Sequence, residues 1–395
     1  MSIQAYNPVW AYREAMQAAA ARWQRRGLLT AAQQQTIQAA YPLDFYRPGL
    51  FLRIGLFIFA CIGAFGGIGF VALLTELDHF KTLALLSTLG TFAALEFFIK
   101  SSRLYHAGPD NALLYIALGW AAALLAMVLD EALPLAWHYT AAFGNGYASL
   151  FLGPLFLLFL LATMRYADRL VAAATYLLCL ALVANWLLQF PMGRLLLPFA
   201  LMLLAVGLYR VVALLRRRPD YLYYRACLRV VKILTLATFY LAGNYYIVRE
   251  GNALLSGSFM SQQIPFAPVF YLFTALIPLL YVAVGLRRYS RIWLLTGLAA
   301  LAFSLFTLRY YRSLLPPEIA AVLAGLLLLA VAVWAARYLR PARHGLTSLP
   351  DDEQPPHFNL ESLVVAQTAV VPAAPTPGFQ FGGGHSGGGG ADGTY

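Results

Sequence analysis

Long runs of apolar residues, separated by short polar segments, recur along this chain from residue 54 to residue 339. A membrane-spanning helix needs about 20 mostly apolar residues, because each residue adds about 1.5 Å across a hydrocarbon core of about 30 Å. We therefore predict an all-α fold, a polytopic membrane helix bundle with about ten transmembrane helices. The predicted spans are 54–74, 82–99, 112–129, 147–164, 170–188, 195–215, 230–248, 268–286, 292–308 and 319–339.

The composition supports a membrane protein. Hydrophobic residues make up 61% of the 395 and charged residues only 11%, whereas soluble globular proteins contain about 25% charged residues. The three cysteines, Cys61, Cys179 and Cys227, have no CxxC or metal-site spacing, so we predict no disulfide framework, no metal and no cofactor. Residues 1–30 lack the hydrophobic core of a removable signal peptide, so the first span is expected to direct insertion.

The basic residues predict the orientation. Lys and Arg stay on the cytoplasmic side of short loops. With a cytoplasmic N-terminus and ten spans, 23 of the 28 Lys and Arg residues fall on the cytoplasmic side and five on the outside. We therefore predict that both termini are cytoplasmic. The net charge of +11 is then mainly a topology signal, and nucleic acid is not an expected partner.

The most basic stretch is LLRRRPDYLYYRACLRVVK, residues 214–232. Its alternating tyrosines and arginines are typical of a helix lying in the headgroup layer, where each basic residue gains about 1 kcal/mol from anionic lipid. We interpret the 210–232 loop as an anchor to anionic headgroups of the lipid bilayer; a regulatory lipid or partner site is the alternative. The lipid-facing basic residues of this interpretation are Arg216, Arg217, Arg218 and Arg225.

Residues 1–50 predict a small cytoplasmic helical hairpin. Asn7 and Pro8 are a favourable cap and first residue for a helix, and Gly27 is suited to end it. Thr30 and Gln33 form a T-x-x-Q capping box that opens a second helix. We expect Trp10, Ala20 and Trp23 to share one stripe, and Leu28, Leu29 and Ile37 to form the apolar seam.

The W-x-x-x-G-L-L-T-x-x-Q arrangement, residues 23–33, precedes a glycine-rich first span. Over about residues 10–75 the chain resembles a family of uncharacterised bacterial multi-pass membrane proteins with an N-terminal cytoplasmic helical hairpin. The resemblance implies a bacterial inner (cytoplasmic) membrane and no particular activity.

Several polar residues in and near the spans are candidates for chemistry. Glu96 lies four residues before Lys100, which favours an ion pair within one helix over a proton relay. Asn185 and Asn244 are expected to be buried polar groups, lining a solute path or bonding between helices. Prolines 154, 198 and 278 are expected to interrupt three spans, as in transporters, although proline is common in membrane helices.

The outer loops collect acidic and imidazole groups. Together they are a candidate polar site for a cation or for acid–base chemistry. Their spacing matches no defined metal motif, however, and solvated loops are the alternative. The residues of this candidate site are Glu76, Asp78, His79, Asp130, Glu131 and His138.

Sequence motifs of enzymes such as HExxH, GxSxG or a Walker loop are absent, so we predict no enzymatic activity. The segment 341–395 is acidic, then proline-rich, then glycine-rich, and is expected to be a disordered cytoplasmic tail after the 54–339 transmembrane domain. We predict a non-enzymatic membrane scaffold or sensor whose hairpin or tail binds a protein partner. A small-solute transporter or channel is the alternative, and a water-accessible cavity lined by Asn185, Asn244 or Glu96 would favour it.

Overall fold

The computed structural model describes residues 4–74, 80–133, 144–258, 261, 263–311 and nine separate residues between 319 and 337. In this part of the chain twelve α-helices follow one another. They are α1 (Pro8–Arg25), α2 (Ala31–Ala40), α3 (Leu50–Leu74), α4 (Phe80–Ser101), α5 (Pro109–Ala132), α6 (Gly146–Tyr166), α7 (Arg169–Leu187), α8 (Gly193–Leu215), α9 (Tyr221–Gly243), α10 (Tyr245–Leu255), α11 (Ala267–Arg287) and α12 (Arg291–Tyr311).

The predicted fold class is confirmed: the protein is an all-α, multi-pass membrane helix bundle. Within the described residues, nine helices are long and apolar enough to cross a membrane, namely α3 to α9, α11 and α12. They correspond to the first nine predicted spans. The tenth predicted span, 319–339, and the tail, 341–395, lie wholly or mostly outside the described residues.

The N-terminal hairpin forms as its local signals predict. Asn7 caps α1 by accepting a hydrogen bond from the backbone N–H of Val9. Thr30 and Gln33 make the reciprocal bonds of a capping box at the start of α2. Gly27, between the helices, has φ +70°, the left-handed conformation that glycine adopts at helix ends. Short-range sequence signals therefore determine this joint.

The predicted apolar seam of the hairpin is partly wrong. Trp10 and Ala20 are buried, but Trp23 is 48% exposed and Leu28 is 67% exposed. Leu28 lies at the tip, next to Gly27, where no neighbouring helix covers it. Polar bonds to the segment after α2 hold the hairpin closed instead. Gln17 donates to the carbonyl of Tyr41 over 2.7 Å, and Arg13 donates to the carbonyl of Pro42 and pairs with Asp44.

The seventh span differs from its predicted position. The prediction placed it at 230–248, whereas α9 runs from Tyr221 to Gly243. Asn244 ends this helix and starts α10 by accepting hydrogen bonds from the N–H groups of Tyr246 and Ile247. Hydropathy misplaced the span because basic residues interrupt the apolar pattern near its start and no charge marks the break at Asn244.

The three prolines do not divide their helices. Pro154, Pro198 and Pro278 lie inside α6, α8 and α11, and each helix continues on both sides of its proline. The expectation of interrupted spans is therefore wrong. A membrane helix accommodates proline where neighbouring groups satisfy the freed carbonyl.

Three packed clusters are present in the described part of the bundle, and the two larger ones join most of its helices. The first joins the hairpin to the ends of α4, α5, α6, α7 and α9; its members include Trp10, Ile99 and Tyr223. We call the side of the bundle that carries it the N-terminal face. The second joins α9, α11 and α12 around Leu236 and Tyr281. The hairpin is therefore packed onto the membrane bundle.

We expect Gly27→Val to open the hairpin joint. A β-branched residue in the left-handed region costs about 1–2 kcal/mol, and no described atom lies within 4 Å of the added Cβ, so the cost is conformational. Hydrogen exchange of the α2 amides in the full-length protein should accelerate about tenfold, as 1.4 kcal/mol implies. Gly27→Asn, which tolerates this conformation, is the matched control. Equal exchange rates for the valine and glycine proteins would contradict this account.

Candidate functional site

The first element of the site is a buried carboxylate at the start of α5. Gly108 and Pro109 begin the helix, and Asp110 follows in its first turn. The Asp110 Oδ1 atom accepts hydrogen bonds from the backbone N–H groups of Ala107 and Gly108, at 2.9 and 3.0 Å. The side chain is 0% exposed. Two backbone N–H groups at the start of α5 therefore hold this carboxyl group in place.

The N-terminal segment reaches the other oxygen of this carboxylate. The Tyr6 hydroxyl donates to Asp110 Oδ2 over 2.7 Å, and Tyr6 is 2% exposed. Burial, followed by the nearby charge of Asp110, raises the pKa of the Tyr6 hydroxyl well above its ordinary value. The N–H of Ala5 also donates to the carbonyl of Arg165 at the end of α6, over 2.9 Å. Tyr6 and Ala5 thus fasten the hairpin to the bundle.

A second buried carboxylate caps α7. Asp168 is 4% exposed, and its Oδ1 atom accepts hydrogen bonds from the N–H groups of Leu170 and Val171. Its Oδ2 atom accepts from Asn111 over 2.6 Å and from Tyr115 over 3.0 Å. Asp168 therefore ties α7 to α5 on the N-terminal face.

An aromatic group surrounds these bonds. The ring of His106 lies 4.9 Å from that of Tyr6 and 5.0 Å from that of Tyr105, measured between centroids. Trp10 and Phe45 pack against Tyr105 from the hairpin side. We call the set Tyr6, Trp10, Phe45, Tyr105, His106 and Asp110 the docking cluster. It joins the hairpin to the loop between α4 and α5.

The charged groups around His106 shift the pKa of its imidazole in opposite directions. Burial lowers the pKa of the imidazole most strongly; the carboxylates Asp110 and Asp168 raise it, and the cations Arg47 and Arg169 lower it. Burial also raises the pKa of Tyr105 to about 12. Both rings are therefore neutral near pH 7, as packing of the docking cluster requires.

The chemistry of these carboxylates is that of anchors. Each oxygen of Asp110 and Asp168 already accepts at least one hydrogen bond. A general base needs a lone pair directed at a substrate. The site therefore holds helices and hairpin together.

Two of the outer acidic candidates, Asp130 and Glu131, lie in the described part of the chain. Glu131, at the end of α5, forms an ion pair with Lys81 at the start of α4. Asp130 lies beside it in the last turn of α5. The pair binds two neighbouring helices, which accounts for Glu131 without a bound cation. The other members of the predicted site, Glu76, Asp78, His79 and His138, lie outside the described residues.

The predicted partner of Glu96 is wrong. The Glu96 carboxylate accepts hydrogen bonds from Arg165 Nε over 2.8 Å and from the Tyr166 hydroxyl over 2.7 Å. Arg165 ends α6, so the ion pair joins α4 to α6 instead of staying within α4 with Lys100. The guanidinium group of Arg165 and the hydroxyl of Tyr166 both reach Glu96 from the end of α6. Together they donate two hydrogen bonds to the carboxylate, whereas Lys100 offers a single ammonium group one turn away in α4.

The two asparagines are buried as predicted. Asn185 is 0% exposed; its side chain donates to the carbonyl of Asn145 and to Ser149, and accepts from the N–H of Gly144. It therefore joins the end of α7 to the start of α6. Between the two open interpretations, bonding between helices is the one that the geometry supports for Asn185.

Asn244 is also 0% exposed. Its side chain donates to the hydroxyls of Tyr240 and Thr307, and its oxygen caps α10. Asn244 and Asn185 both lie near helix ends on the side opposite the N-terminal face. Because the Asn244 side chain is occupied by these hydrogen bonds, bonding between helices is also the interpretation that the geometry supports for Asn244.

The predicted basic loop is mostly helix. Arg216 ends α8, and Arg217 and Arg218 lie in the short exposed link before α9. Arg225 lies in the second turn of α9, not in a loop. Most of the stretch 214–232 is therefore continuous with the helices α8 and α9, and its contact with lipid headgroups stays a prediction.

Sequence reasoning missed Tyr6, His106, Asp110 and Asp168. The predicted spans began at residues 112 and 170, so both aspartates fell just outside them. An available signal was the aspartate immediately before or within the first helical turn, the position where a carboxylate caps a helix. Nothing local in the sequence indicates that Tyr6 reaches Asp110, because the contact joins residues far apart in the chain.

Comparisons with known proteins do not indicate a function for this site. No protein-family model matches the chain, and no curated protein or solved structure matches it. The function must therefore be argued from the geometry.

We expect Tyr6→Phe to loosen the hairpin. The substitution keeps the ring but leaves one oxygen of the buried Asp110 without its donor, and a hydrogen bond to a charged group contributes about 1.5–3 kcal/mol. Hydrogen exchange of the α1 amides should accelerate at least about tenfold, the factor that 1.4 kcal/mol represents. Tyr12→Phe, on the exposed side of α1, is the matched control. Unchanged exchange in Tyr6→Phe would show that Asp110 does not hold the hairpin.

We also expect acid to weaken docking. The docked pKa of His106 is lowered, so the undocked state binds a proton more readily. Docking should therefore be complete above the ordinary histidine pKa of about 6.5 and be lost progressively as the pH falls below it. The measurement is the pH dependence of α1 hydrogen exchange, corrected for intrinsic rates. His106→Asn, which suits the left-handed backbone at this position (φ +48°), should remove that dependence. An identical pH profile in the variant would exclude His106 as its source.

Proposed function

We propose that the protein is a non-enzymatic scaffold or sensor of a bacterial inner membrane, which presents its N-terminal hairpin to a protein partner on the cytoplasmic side. The observation that carries the proposal is the contrast between the two helices of the hairpin. The α1 helix is tied to the bundle by Trp10 and Ala11, which are both buried, whereas α2 has no buried residue at all. The hairpin is thus held firmly on one side and open on the other.

The exposed helix suits recognition. The α2 sequence AAQQQTIQAA carries four glutamines and no charged residue. Its position is set by the capping box at Thr30 and by the bonds of Arg13 and Gln17 to the segment after it. A helix that is ordered before binding loses less conformational entropy in a complex. This arrangement supports a role in binding a partner.

The transporter alternative has less support. Asn185 and Asn244 are 0% exposed, so neither side chain is in contact with water. Glu96 is held by Arg165 and Tyr166 near the N-terminal face. Transporter sites lie near the bilayer midplane, with irregular backbone that lines a cavity. At the break after α9, the side chain of Asn244 is bonded to Tyr240 and Thr307, and the N–H of Tyr245 donates to the Thr274 hydroxyl, so these groups are occupied by neighbouring helices.

Within the described residues, the acidic groups of the bundle are engaged in structural bonds, which gives the enzymatic alternative less support. The buried carboxylates of the N-terminal face are saturated with hydrogen bonds, and the ion pairs Glu96–Arg165 and Glu131–Lys81 use the acidic groups of α4 and α5.

The cytoplasmic orientation rests on the 23 Lys and Arg residues of the predicted inner side. The bacterial membrane rests on the resemblance of residues 10–75.

Site-specific photo-crosslinking in cells tests the scaffold. A photoreactive residue at Gln35 of α2 should give discrete protein adducts, because this position is exposed and ordered. The same residue at Leu203, 74% exposed on the apolar surface of α8, is the control for incidental crosslinking. Adducts that are equal at both positions, or absent at Gln35, would contradict the proposal.

Cysteine accessibility tests the transporter alternative in the same protein. Thr235→Cys in the middle of α9 is nearly isosteric, and Thr235 is 1% exposed. In a background with serine at positions 61 and 179, a membrane-impermeant thiol reagent should label Gln35→Cys and leave Thr235→Cys unreacted from either side. Rapid labelling of Thr235→Cys would indicate a water-filled path and favour transport.

A further inference from the structure

A half-buried lysine, Lys232, lies halfway along α9, after Arg225 and Arg229 of the same helix. Lys232 is eleven residues after Tyr221, the first residue of α9, or about 16 Å along a helix that rises 1.5 Å per residue. Lys232 falls both in the predicted span 230–248 and in the predicted basic loop 210–232. A half-buried cation is unfavourable unless an anion pairs with it. The partners of Lys232 therefore need to be identified.

Hydrogen bonds fix the level of α11 against α9. The Tyr281 hydroxyl donates to the carbonyl of Leu236 over 2.9 Å in the buried core. Lys232 precedes Leu236 by one helical turn, on the same side of α9 and towards the N-terminal face. Arg288 follows Tyr281 by two turns, also towards that face, on the same side of α11. The side chains of Lys232 and Arg288 are thus directed to one level of the bundle.

A second bond places α8 at the same level. Trp293 of α12 donates from Nε1 to the Tyr209 hydroxyl over 3.2 Å, and its ring lies 5.0 Å from that of Tyr281. Arg216 follows Tyr209 by two turns and ends α8. Below this aromatic layer, the C-caps of α8 and α11 and the middle of α9 therefore bring three cations to one level: Arg216, Arg288 and Lys232.

These cations repel one another. The charges that act on the Lys232 ammonium group are those of Arg216 and Arg288, and both are positive. Within the described part of the chain, none of the three forms an ion pair with a carboxylate. Asp220 is the only acidic residue between Asp168 and Glu250. Like charges near a low-dielectric region are unfavourable unless an anion lies between them.

We propose that Arg216, Lys232 and Arg288 form a binding site for a phosphate group, supplied by the headgroup of an anionic phospholipid. Guanidinium groups bind phosphate oxygens in a bidentate manner, and lysine adds a point charge. The same helix ends carry exposed apolar side chains, including Leu214 and Leu286, which can contact acyl chains. This site differs from diffuse attraction to the Arg216–Arg218 link, since two of its members come from α9 and α11. It does not depend on the scaffold function.

The experiment is lipid titration of the full-length protein in mild detergent, followed by native mass spectrometry and thermal unfolding. The probes are phosphatidylglycerol, phosphatidylcholine and inorganic phosphate. Phosphatidylglycerol should bind and raise the unfolding temperature, as any ligand of the native state does. Lys232→Gln and Arg288→Gln should each weaken phosphatidylglycerol binding about tenfold or more. This loss is larger than the roughly fivefold loss of affinity expected when one basic residue near a lipid surface is removed. Lys232→Arg, which keeps the charge, should restore it.

Two controls separate the site from general effects. Arg25→Gln removes one exposed charge from the hairpin and should leave phosphatidylglycerol binding unchanged. Without lipid, Lys232→Gln should be at least as stable as the unsubstituted protein, because the substitution relieves repulsion. Lower stability of the lipid-free variant would indicate a structural role for Lys232 and overturn the proposal.

The other outcomes of the lipid titration also test the proposed site. Equal binding of phosphatidylcholine and phosphatidylglycerol, or equal binding of phosphatidylglycerol by Lys232→Gln and the unsubstituted protein, would overturn the site. Stabilisation by inorganic phosphate alone, abolished in Lys232→Gln, would support the same phosphate chemistry with a soluble source. Preference for phosphatidylglycerol with no effect of inorganic phosphate would support the lipid headgroup.

Discussion

The hydrocarbon layer offers a polar group no hydrogen-bond partner, and this constraint governs the bundle. Backbone groups are satisfied within helices, so each span is helical. Three polar side chains of the described spans are satisfied by neighbouring helices or helix starts. Asn185 bonds to the start of α6, Asn244 to Tyr240 and Thr307, and Glu96 to Arg165 and Tyr166. These polar bonds lie near helix ends, where they fix how neighbouring helices meet.

The same constraint explains how a polar hairpin is attached to an apolar bundle. At the N-terminal face, the first turns of α5 and α7 bind the carboxylates of Asp110 and Asp168 through free N–H groups. Asp110 then offers its second oxygen to Tyr6, and aromatic rings cover the bond. A charged group that terminates a helix thus also becomes the attachment point of a separate module. The exposed α2 is available for partners because α1 and the segment after α2 make the contacts with the bundle.

The basic residues illustrate two roles of one residue type. Most of them predict orientation, and their exposed positions agree with that role. Lys232 differs because it is half-buried in α9 and the cations at two other helix ends act on it. A topology signal requires only that a charge remain on one side of the membrane. Convergence of three cations on one level is unfavourable unless an anion lies between them, and this is the basis of the proposed phosphate site.

By itself, the sequence determined the features that depend on nearby residues: the apolar length of each span, the capped joint at Gly27 and Thr30, and the all-α class. It also indicated burial of Asn185 and Asn244, since amides in apolar runs need partners. Only the tertiary structure decided which groups meet. Tyr6 reaches Asp110, Glu96 binds Arg165 instead of Lys100, and Lys232 faces Arg216 and Arg288 because helices distant in sequence pack together at a particular level. A local sequence pattern reflects the free energy of burying one segment in lipid, and that free energy is similar for many arrangements of the helices. The level at which two helices pack is set by contacts such as the bond between Tyr281 and Leu236. No local pattern encodes such a contact.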